Sequence, residues 1–394
     1  MGAAATFLKC LIPRILLSVI FSWCGYLGSG GDPQAYHILG KYLKQTLVDP
    51  AHASLDTILA AEGFEELDPA YEIHALSVER IREPESFGQY LNTVMPITML
   101  HAASYYVWDH PLTFLLLNSV LSAFAITRAV SAFQIDGTQS AWLIFNPVSI
   151  YFAATHYKES IAESLVIAFT TALYGRNRPI RALFWILLMF AFRASFAGLL
   201  GAFYLFRFTV IGRLRPIYIF GGILLALAVL PPFFNLDEVH MDGAGVVYSL
   251  VYRNEYTIKL LGPLLGLLLP APIHIVLAHW KGAALTDPGA LFTTIYGIFY
   301  YIVGIGWLIN WRYATRSVET NRLVNTVIFV SLMIGYLFLG ASGVKDRYFA
   351  PFLPLMILAL IKMLAVKTKK VRRKNQCANG TLETIRSLKD HAFS

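Results

Sequence analysis

Charged residues in this sequence gather at the ends of long apolar stretches. Asp32 follows the first such stretch, in the run GGDPQAYH of residues 30–37. A carboxylate held by a glycine turn at a membrane boundary can accept a proton from an attacking hydroxyl or coordinate a divalent cation. Asp32 is therefore the candidate catalytic residue, and Tyr36 and His37 are candidates for substrate binding. The simpler alternative is that Asp32 only ends a helix or forms a turn.

Several cations occupy similar positions later in the chain. Lysine and arginine side chains at one membrane level can hold a phosphate or diphosphate, and arginine favours bidentate contact. The candidates for this role are Lys158, Arg193, Lys345 and Arg347. If a lipid phosphate leaves during a reaction, these cations would stabilise the charge that develops. Lys158 could instead be an interfacial anchor at the start of a helix, and Arg193 could extend towards the interface or pair with a carbonyl. Lys345 and Arg347 could instead lie in a short solvated hairpin loop.

Four more residues near stretch ends are substrate-binding candidates: His156, Glu159, Arg253 and Glu255. For His37 and His156 a structural hydrogen bond is favoured over metal ligation, because spacing alone does not show that ligands converge. No metal ligand is assigned. A divalent cation such as Mg or Mn stays open as a cofactor.

The composition is that of a membrane protein. Hydrophobic residues make up 56% of the 394 and charged residues 14%, against about 25% charged in ordinary soluble domains. Mean hydropathy is +0.56. The net charge of +8 does not indicate a nucleic-acid partner, since six basic residues lie in the short segment 367–374 after the last apolar stretch. That segment is typical of a cytoplasmic membrane flank.

We predict a polytopic, all-α bundle of about ten transmembrane helices, because ten stretches are long and apolar enough to cross a bilayer. These stretches are 8–28, 111–131, 139–156, 160–175, 180–195, 197–211, 216–234, 289–309, 322–341 and 348–366. The connections rich in arginine, around residues 176–181, 213–215 and 312–322, and the tail then lie together in the cytoplasm with both termini.

The segment 30–92 is predicted to lie outside as a juxtamembrane loop. It holds eleven acidic and four basic residues, and its pattern near 51–64 indicates short amphipathic helices on the membrane surface. Two shorter apolar stretches, 93–107 and 260–280, contain prolines and histidines. We expect both to be interfacial or re-entrant pieces over the outer mouth of the bundle.

The chain is predicted to form one membrane-embedded domain over 1–394, with a basic cytoplasmic tail at 367–394. The first apolar stretch is interpreted as a retained span, and a cleaved signal peptide is the alternative. Phosphate-binding Walker and GxGxxG motifs are absent from the sequence, which disfavours an energised pump.

Together these features resemble the GT-C superfamily of membrane glycosyltransferases, in particular bacterial members related to family 39 and to the oligosaccharide repeat-unit polymerases. The likeness rests on Gly31-Asp32 with Tyr36-His37, on the run 146–151 (NPVSIY) leading to Lys158-Glu159-Ser160, on the proline-rich segment 261–272, and on the run 346–351 (DRYFAP). The resemblance implies that Asp32 serves as catalytic base or helps to bind a metal. It also implies that Lys158, Arg193 and Arg347 bind the carrier phosphate. Many metal-dependent relatives have a second acidic motif such as DxD, and this sequence has none.

The leading hypothesis is an inverting glycosyltransferase of the bacterial inner membrane with an extracytoplasmic active site. It would move a sugar or an oligosaccharide repeat unit from a polyprenyl phosphate or diphosphate to a glycan or lipid-linked acceptor, and could act as a polysaccharide polymerase. Its partners would be that donor, the acceptor and membrane lipids, with no nucleic acid. The alternatives are a transporter or flippase for polyprenyl-linked saccharides and a non-catalytic membrane scaffold.

Overall fold

A computed structural model describes residues 2–28, 31–67, 71–72, 75, 78, 94–210, 213–229, 288–338 and 350–368. Within these ranges the chain is helical and has no strands. The longer helices are α1 Ala3–Trp23, α2 Gly31–Val48, α3 Leu55–Glu62, α4 Met95–Val107, α5 Pro111–Ala132, α6 Gly137–Ile144, α7 Pro147–Ala153, α8 Glu159–Thr170, α9 Pro179–Phe192, α10 Ala194–Phe208, α11 Pro216–Val229, α12 Pro288–Asn310, α13 Val318–Phe338 and α14 Ala350–Thr368. This confirms the predicted all-helical fold.

Three of these helices, α1, α5 and α14, are long and apolar enough to cross a membrane, and α9 and most of α10 are shorter apolar helices. The outer face of α1 is apolar and uncovered, since Leu8, Leu16 and Ile20 are all more than half exposed. Apolar side chains in such positions are stable in lipid and costly in water. The chain is therefore a membrane protein, and the count of ten spans stays a prediction.

The predicted span 139–156 is divided into α6 and α7. Helix α6 ends at Ile144, and Asn146 caps α7, because its Oδ1 accepts a hydrogen bond from the backbone N of Val148 at 3.1 Å. Its Nδ2 donates to Ser149 Oγ at 2.7 Å. Pro147 then occupies the first turn of α7, where its missing N–H costs nothing. The Asn-Pro pair thus breaks a stretch that hydropathy alone treats as continuous.

Helix α8 continues into a π-helical turn, Thr171–Gly175. Helices α8 and α10 contact each other through polar side chains at both of their ends. Near their N-terminal ends, Arg193 Nη2 lies 3.2 Å from Glu159 Oε1. Near their C-terminal ends, Arg207 Cζ lies 5.7 Å from the ring centre of Tyr174. Helices of these lengths span about 22–25 Å, so the Arg193–Glu159 and Arg207–Tyr174 contacts lie at opposite ends of the bundle.

Arg14 fastens α1 inside the bundle. This side chain is completely buried, and its Nη1 donates to the carbonyl oxygens of Cys10 at 2.7 Å and Ile144 at 3.2 Å. Its Nε donates to Ser122 Oγ at 3.0 Å. A buried cation is tolerated in an apolar bundle only when such acceptors surround it. Arg14 therefore holds α1 against α5 and the end of α6.

The predicted external segment contains more helix than the sequence pattern indicates. Asp32 lies in the first turn of α2, a helix of 18 residues, rather than in a loop. The short helix α3 agrees with the prediction: Ser54 caps its start and Gly63, with φ +76°, ends it. Residues 93–107, predicted to be an interfacial piece, form α4 from Met95, and α4 packs along α2.

Helices α2 and α4 cross most closely at Gly40. A Cβ at this position would lie 2.3 Å from the Cβ of His101 and 3.4 Å from the backbone N of Ala102. The nearest atom belongs to the stem of a side chain, which cannot swing away without moving the helix. Glycine is therefore required here for the approach of the two helices.

We predict that Gly40→Ala destabilises the protein by about 1–3 kcal/mol, the usual cost of overpacking. Thermal unfolding in detergent micelles, followed by tryptophan fluorescence, measures the effect. The matched control is Gly198→Ala, since Gly198 lies within α10 and an added Cβ there meets nothing within 4 Å. That variant should be unchanged or stabilised by up to about 1 kcal/mol. Equal effects of the two substitutions would contradict the close crossing.

Candidate functional site

The candidate site begins where two connections meet. The backbone N of His156, between α7 and α8, donates to the carbonyl oxygen of Leu27 at 2.9 Å. Gly28 has φ +142°, and a Cβ there would lie 2.7 Å from Pro33 Cγ and 3.0 Å from Tyr157. This contact brings the start of α2 against the residues that precede α8.

Asp32 is held by a tyrosine from a distant part of the chain. The Tyr71 hydroxyl is hydrogen-bonded to Asp32 and to Tyr36, and the two tyrosine rings meet edge to face with centres 5.8 Å apart. Because a carboxylate only accepts hydrogen bonds, Tyr71 donates to Asp32 and can accept from Tyr36. The first turn of α2 also favours a negative charge at Asp32.

Both tyrosines are held in the protonated form. Burial raises the pKa of Tyr36, and the charges of Asp32 and Glu159 raise it further. Burial likewise raises the pKa of Tyr71, with added contributions from Tyr36 and Asp32. Their hydroxyls are therefore hydrogen-bond donors at neutral pH. Tyr71 can orient the Asp32 carboxylate without competing for its proton-accepting role.

Lys158 approaches the same tyrosine from the other side. Its Nζ lies 5.6 Å from the ring centre of Tyr36, and the residue is only 8% exposed. An ammonium over an aromatic face is stabilised by the ring quadrupole. Arg193 is also close enough to lower the pKa of Tyr36 slightly against the dominant effect of burial. Tyr36 is thus the common neighbour of Asp32, Lys158 and Arg193.

Glu159 and Arg193 form a buried pair beside this tyrosine. Glu159 is 1% exposed and Arg193 is 8% exposed. The pair meets at 3.2 Å, yet the two oxygens of Glu159 have no hydrogen bond within the described part of the chain. The contact is therefore an ion pair without aligned hydrogen bonds. Arg193 also lies over the ring of Phe196, 4.5 Å from its centre, and this stacking fixes the plane of the guanidinium.

A second polar cluster lies next to the first. His101 Nδ1 is 2.9 Å from the carbonyl oxygen of Ile97 and must donate to it. The neutral ring then accepts at Nε2, which lies 3.0 Å from His156 Nδ1. His156 therefore donates from Nδ1, and its Nε2 is left as a buried acceptor with no hydrogen-bond partner among the described residues.

His37 belongs to this second cluster. Its Nε2 lies 2.9 Å from Glu62 Oε2 and its Nδ1 lies 2.6 Å from the Tyr105 hydroxyl. Burial lowers the pKa of His37, against the opposing effect of Glu62. The neutral ring thus donates from Nε2 to Glu62 and accepts from Tyr105.

Glu62 is ionised in this arrangement. The His37 hydrogen bond is the main cause that lowers the pKa of Glu62 to about 2, and Lys41 also contributes. Because His37 is neutral, its contact with Glu62 is a hydrogen bond, and the ionic partner of Glu62 is Lys41.

The predicted site residues fall into three groups. The first comprises Asp32, Tyr36, Lys158, Glu159 and Arg193, which lie together. His37 and His156 lie in the neighbouring histidine cluster, and their ring centres are 5.3 Å apart.

The third group, Arg253, Glu255, Lys345 and Arg347, lies outside the described residues, as do the proline-rich segment 261–272, the stretch 260–280 and nearly all of the tail.

Sequence reasoning did not assign Tyr71, His101, Tyr105 or Glu62 to the site. Tyr71 is 35 positions from Tyr36, and no spacing rule relates them. The only signal for α4 was that the apolar stretch 93–107 contains Pro96 and His101. In the part of the chain that the structure describes, no group of three or more histidine, cysteine, aspartate or glutamate residues is arranged to hold a metal ion.

Comparisons with known protein families, with curated proteins and with solved structures find no match for this chain. The function of the chain is therefore inferred from the Asp32 and histidine clusters themselves.

We predict that Glu159→Gln lowers the free energy of unfolding by roughly 3–5 kcal/mol, because removal of one partner leaves a buried charge without its counterion. Denaturation in detergent micelles measures the loss. Adding Arg193→Met to this variant should recover part of the stability.

Asp109→Asn is the matched control for that measurement. Lys44 Nζ and Asp109 Oδ2 are 2.8 Å apart, but the Asp109 side chain is 54% exposed. Exposed ion pairs contribute less than about 1 kcal/mol. A Glu159→Gln variant no less stable than Asp109→Asn would contradict a structural role for the buried pair.

Proposed function

We propose that the protein is a membrane glycosyltransferase of the GT-C type that uses a polyprenyl-linked sugar donor at the extracytoplasmic face. The observation that carries the proposal is the meeting of Asp32, Lys158 and Arg193 around Tyr36. These residues come from three separate segments, and a carboxylate beside two cations is the set of groups that sugar transfer from a lipid phosphate requires.

Asp32 acts as the general base in this proposal. It takes the proton of the acceptor hydroxyl while the acceptor oxygen attacks the anomeric carbon of the donor sugar. The bond from that carbon to the carrier phosphate breaks, and the phosphate oxygen leaves with the electron pair. The displacement inverts the anomeric centre. The hydrogen bond from Tyr71 keeps the Asp32 carboxylate in one orientation, which favours attack along one path.

Lys158 and Arg193 receive the leaving phosphate. Their charges stabilise the oxygen that becomes more negative as the glycosidic bond breaks. Burial strengthens this effect, because the local dielectric constant is low. Glu159 positions Arg193 and keeps the buried guanidinium from standing without a counterion.

The proposal includes the predicted topology, with ten spans, both termini in the cytoplasm of a bacterial cell and the site outside the inner membrane. Two observations support it. The site lies at one end of α8 and α10, and Arg207, Arg213 and Arg322 lie at the opposite end, here called the arginine end. Positively charged connections favour the cytoplasmic side. In addition, Phe133 lies next to Gly175 at the arginine end of α8, and Lys362 Nζ is 5.3 Å from the Phe133 ring centre, so α14 approaches the basic tail at that end.

A flippase for polyprenyl-linked saccharides is the second candidate. It is favoured by the burial of Arg14 and Glu163, which are 0% and 1% exposed on α1 and α8. Charged groups inside a membrane bundle often mark a transport path. A flippase would move a labelled lipid across a vesicle without cleaving it, whereas the transferase releases the carrier.

We predict that Asp32→Asn lowers sugar transfer about 100-fold or more, since general base catalysis contributes at least that factor. The assay supplies membrane vesicles that contain the protein with a panel of radiolabelled polyprenyl phosphate and diphosphate sugars, and it measures release of the free carrier. A ladder of products would indicate a polymerase and a single addition a simple transferase.

The matched control for this assay is Asp56→Asn. Asp56 also lies in the first turn of a helix in the same external segment, but it is exposed. Its variant should keep nearly full activity. An Asp32→Asn protein that folds normally and transfers sugar at the normal rate would remove the base from the mechanism. Movement of intact lipid by the normal protein, with no carrier released, would favour the flippase.

The topology is tested by cysteine labelling. Glu65→Cys, in a background that carries Cys24→Ser and Cys377→Ser, places a thiol on the exposed residue 65. We expect a maleimide that cannot cross membranes to label this thiol from outside intact cells. Thr315→Cys, which is exposed at the arginine end, should be labelled only after the cells are opened. The opposite pattern would exclude an extracytoplasmic site.

A further inference from the structure

Three arginines meet at the other end of α8 and α10. Arg207 lies in the last turn of α10, Arg213 in the connection before α11, and Arg322 in the second turn of α13. Arg207 and Arg213 are both within electrostatic reach of Arg322. We call these three residues the arginine cluster.

The backbone around the arginine cluster is fixed by hydrogen bonds. Asn321 Nδ2 lies 3.2 Å from the carbonyl oxygen of Arg213 and 2.9 Å from that of Leu214. Asn325 Nδ2 donates to the same Leu214 oxygen at 3.0 Å. The start of α13 thus holds the connection before α11 in place. The backbone that carries Arg213 is therefore fixed beside the first turns of α13, which carry Arg322.

Contacts between side chains hold Arg207. Its Nη2 lies 3.4 Å from Asn177 Oδ1, and its guanidinium stacks over Tyr174. The Tyr174 hydroxyl is in turn 2.9 Å from Thr326 Oγ1. These contacts orient the guanidinium but add no negative charge.

The positive charge of the arginine cluster is poorly balanced. Among the described residues, none of the three arginines forms a salt bridge, and Glu319 is the carboxylate within electrostatic reach of Arg322. Arg322 is only 8% exposed. Its Nε and that of Arg207 are buried without a hydrogen-bond partner in this part of the chain. Such donors are costly to bury unless an acceptor fills the gap.

The helix ends account for part of this arrangement. The C-terminal end of α10 carries a partial negative charge that stabilises Arg207. Arg322 lies in the second turn of α13, beyond the first turn over which the helix dipole acts. Helix dipoles therefore explain one arginine of the cluster and do not account for Arg322.

We propose that Arg207, Arg213 and Arg322 form a binding site for a phosphate-bearing anion, either the phosphodiester of an anionic lipid headgroup or free phosphate. Guanidinium groups bind phosphate oxygens in a bidentate manner. The surroundings suit a lipid, because Leu205 and Phe208 on α10 are 62% and 53% exposed and can contact acyl chains. This inference goes beyond the transferase proposal and does not depend on it.

Native mass spectrometry of the full chain, released from detergent micelles, tests the site. The probes are short-chain phosphatidylglycerol, short-chain phosphatidylcholine and inorganic phosphate, each titrated separately. We expect phosphatidylglycerol to bind the normal protein, and Arg322→Gln to weaken that binding about tenfold or more, because a charge-assisted hydrogen bond is lost. Arg312→Gln removes the same charge from an exposed residue of the same end and should change the affinity less than about twofold.

Arg213→Gln is the second variant in case Arg322→Gln does not fold. Arg213 is exposed, so this variant should fold and bind phosphatidylglycerol more weakly than Arg312→Gln does. Phosphate that binds as tightly as the lipid, and is weakened by the same substitutions, would support the site with free phosphate as its ligand. Equal binding of phosphatidylcholine and phosphatidylglycerol would overturn the proposal. Equal affinities in Arg213→Gln, Arg322→Gln and Arg312→Gln would do the same.

Discussion

The close contact between the α1–α2 connection and the residues before α8 determines which side chains can meet at the candidate site. The hydrogen bond from His156 to Leu27 and the tight packing at Gly28 place the first turn of α2 against Lys158. Without that contact, Asp32 and the two cations would lie on separate loops. The crossing of α2 and α4 at Gly40 extends the same packing and brings His101 against His156.

The buried cations Arg14 and Arg193 have hydrogen-bond acceptors or a counterion beside them in this bundle. Arg14 in α1 donates to two carbonyl oxygens and one hydroxyl, while its Nη2 has no hydrogen-bond partner among the described residues, and Arg193 is paired with Glu159. The arginine cluster has no comparable set of acceptors among the described residues. In an apolar environment a cation is stable only when acceptors or anions replace its water. The contrast between Arg14 and the arginine cluster is therefore the strongest physical reason to look for an anion bound to the arginine cluster.

The sequence indicated the helical class and the division of polar residues between two levels, because hydropathy and charge are local properties. It also singled out Asp32, Lys158 and Arg193 from their positions near the ends of apolar stretches. It did not indicate that 139–156 breaks at Asn146, although the Asn-Pro pair was visible, because a hydropathy window averages over a single capping residue. The contribution of Tyr71 could not be predicted, since its contact with Asp32 joins two segments far apart in the chain.

By itself the sequence determined that the chain is a membrane protein of apolar helices with acidic residues concentrated in one segment and arginines in several connections. The tertiary structure alone decided which of these residues are neighbours, because proximity between helices depends on side-chain packing at a few close contacts such as Gly28 and Gly40. It also decided the hydrogen-bonding state of the histidines. A histidine donates or accepts at each nitrogen according to its partners, and those partners come from other helices.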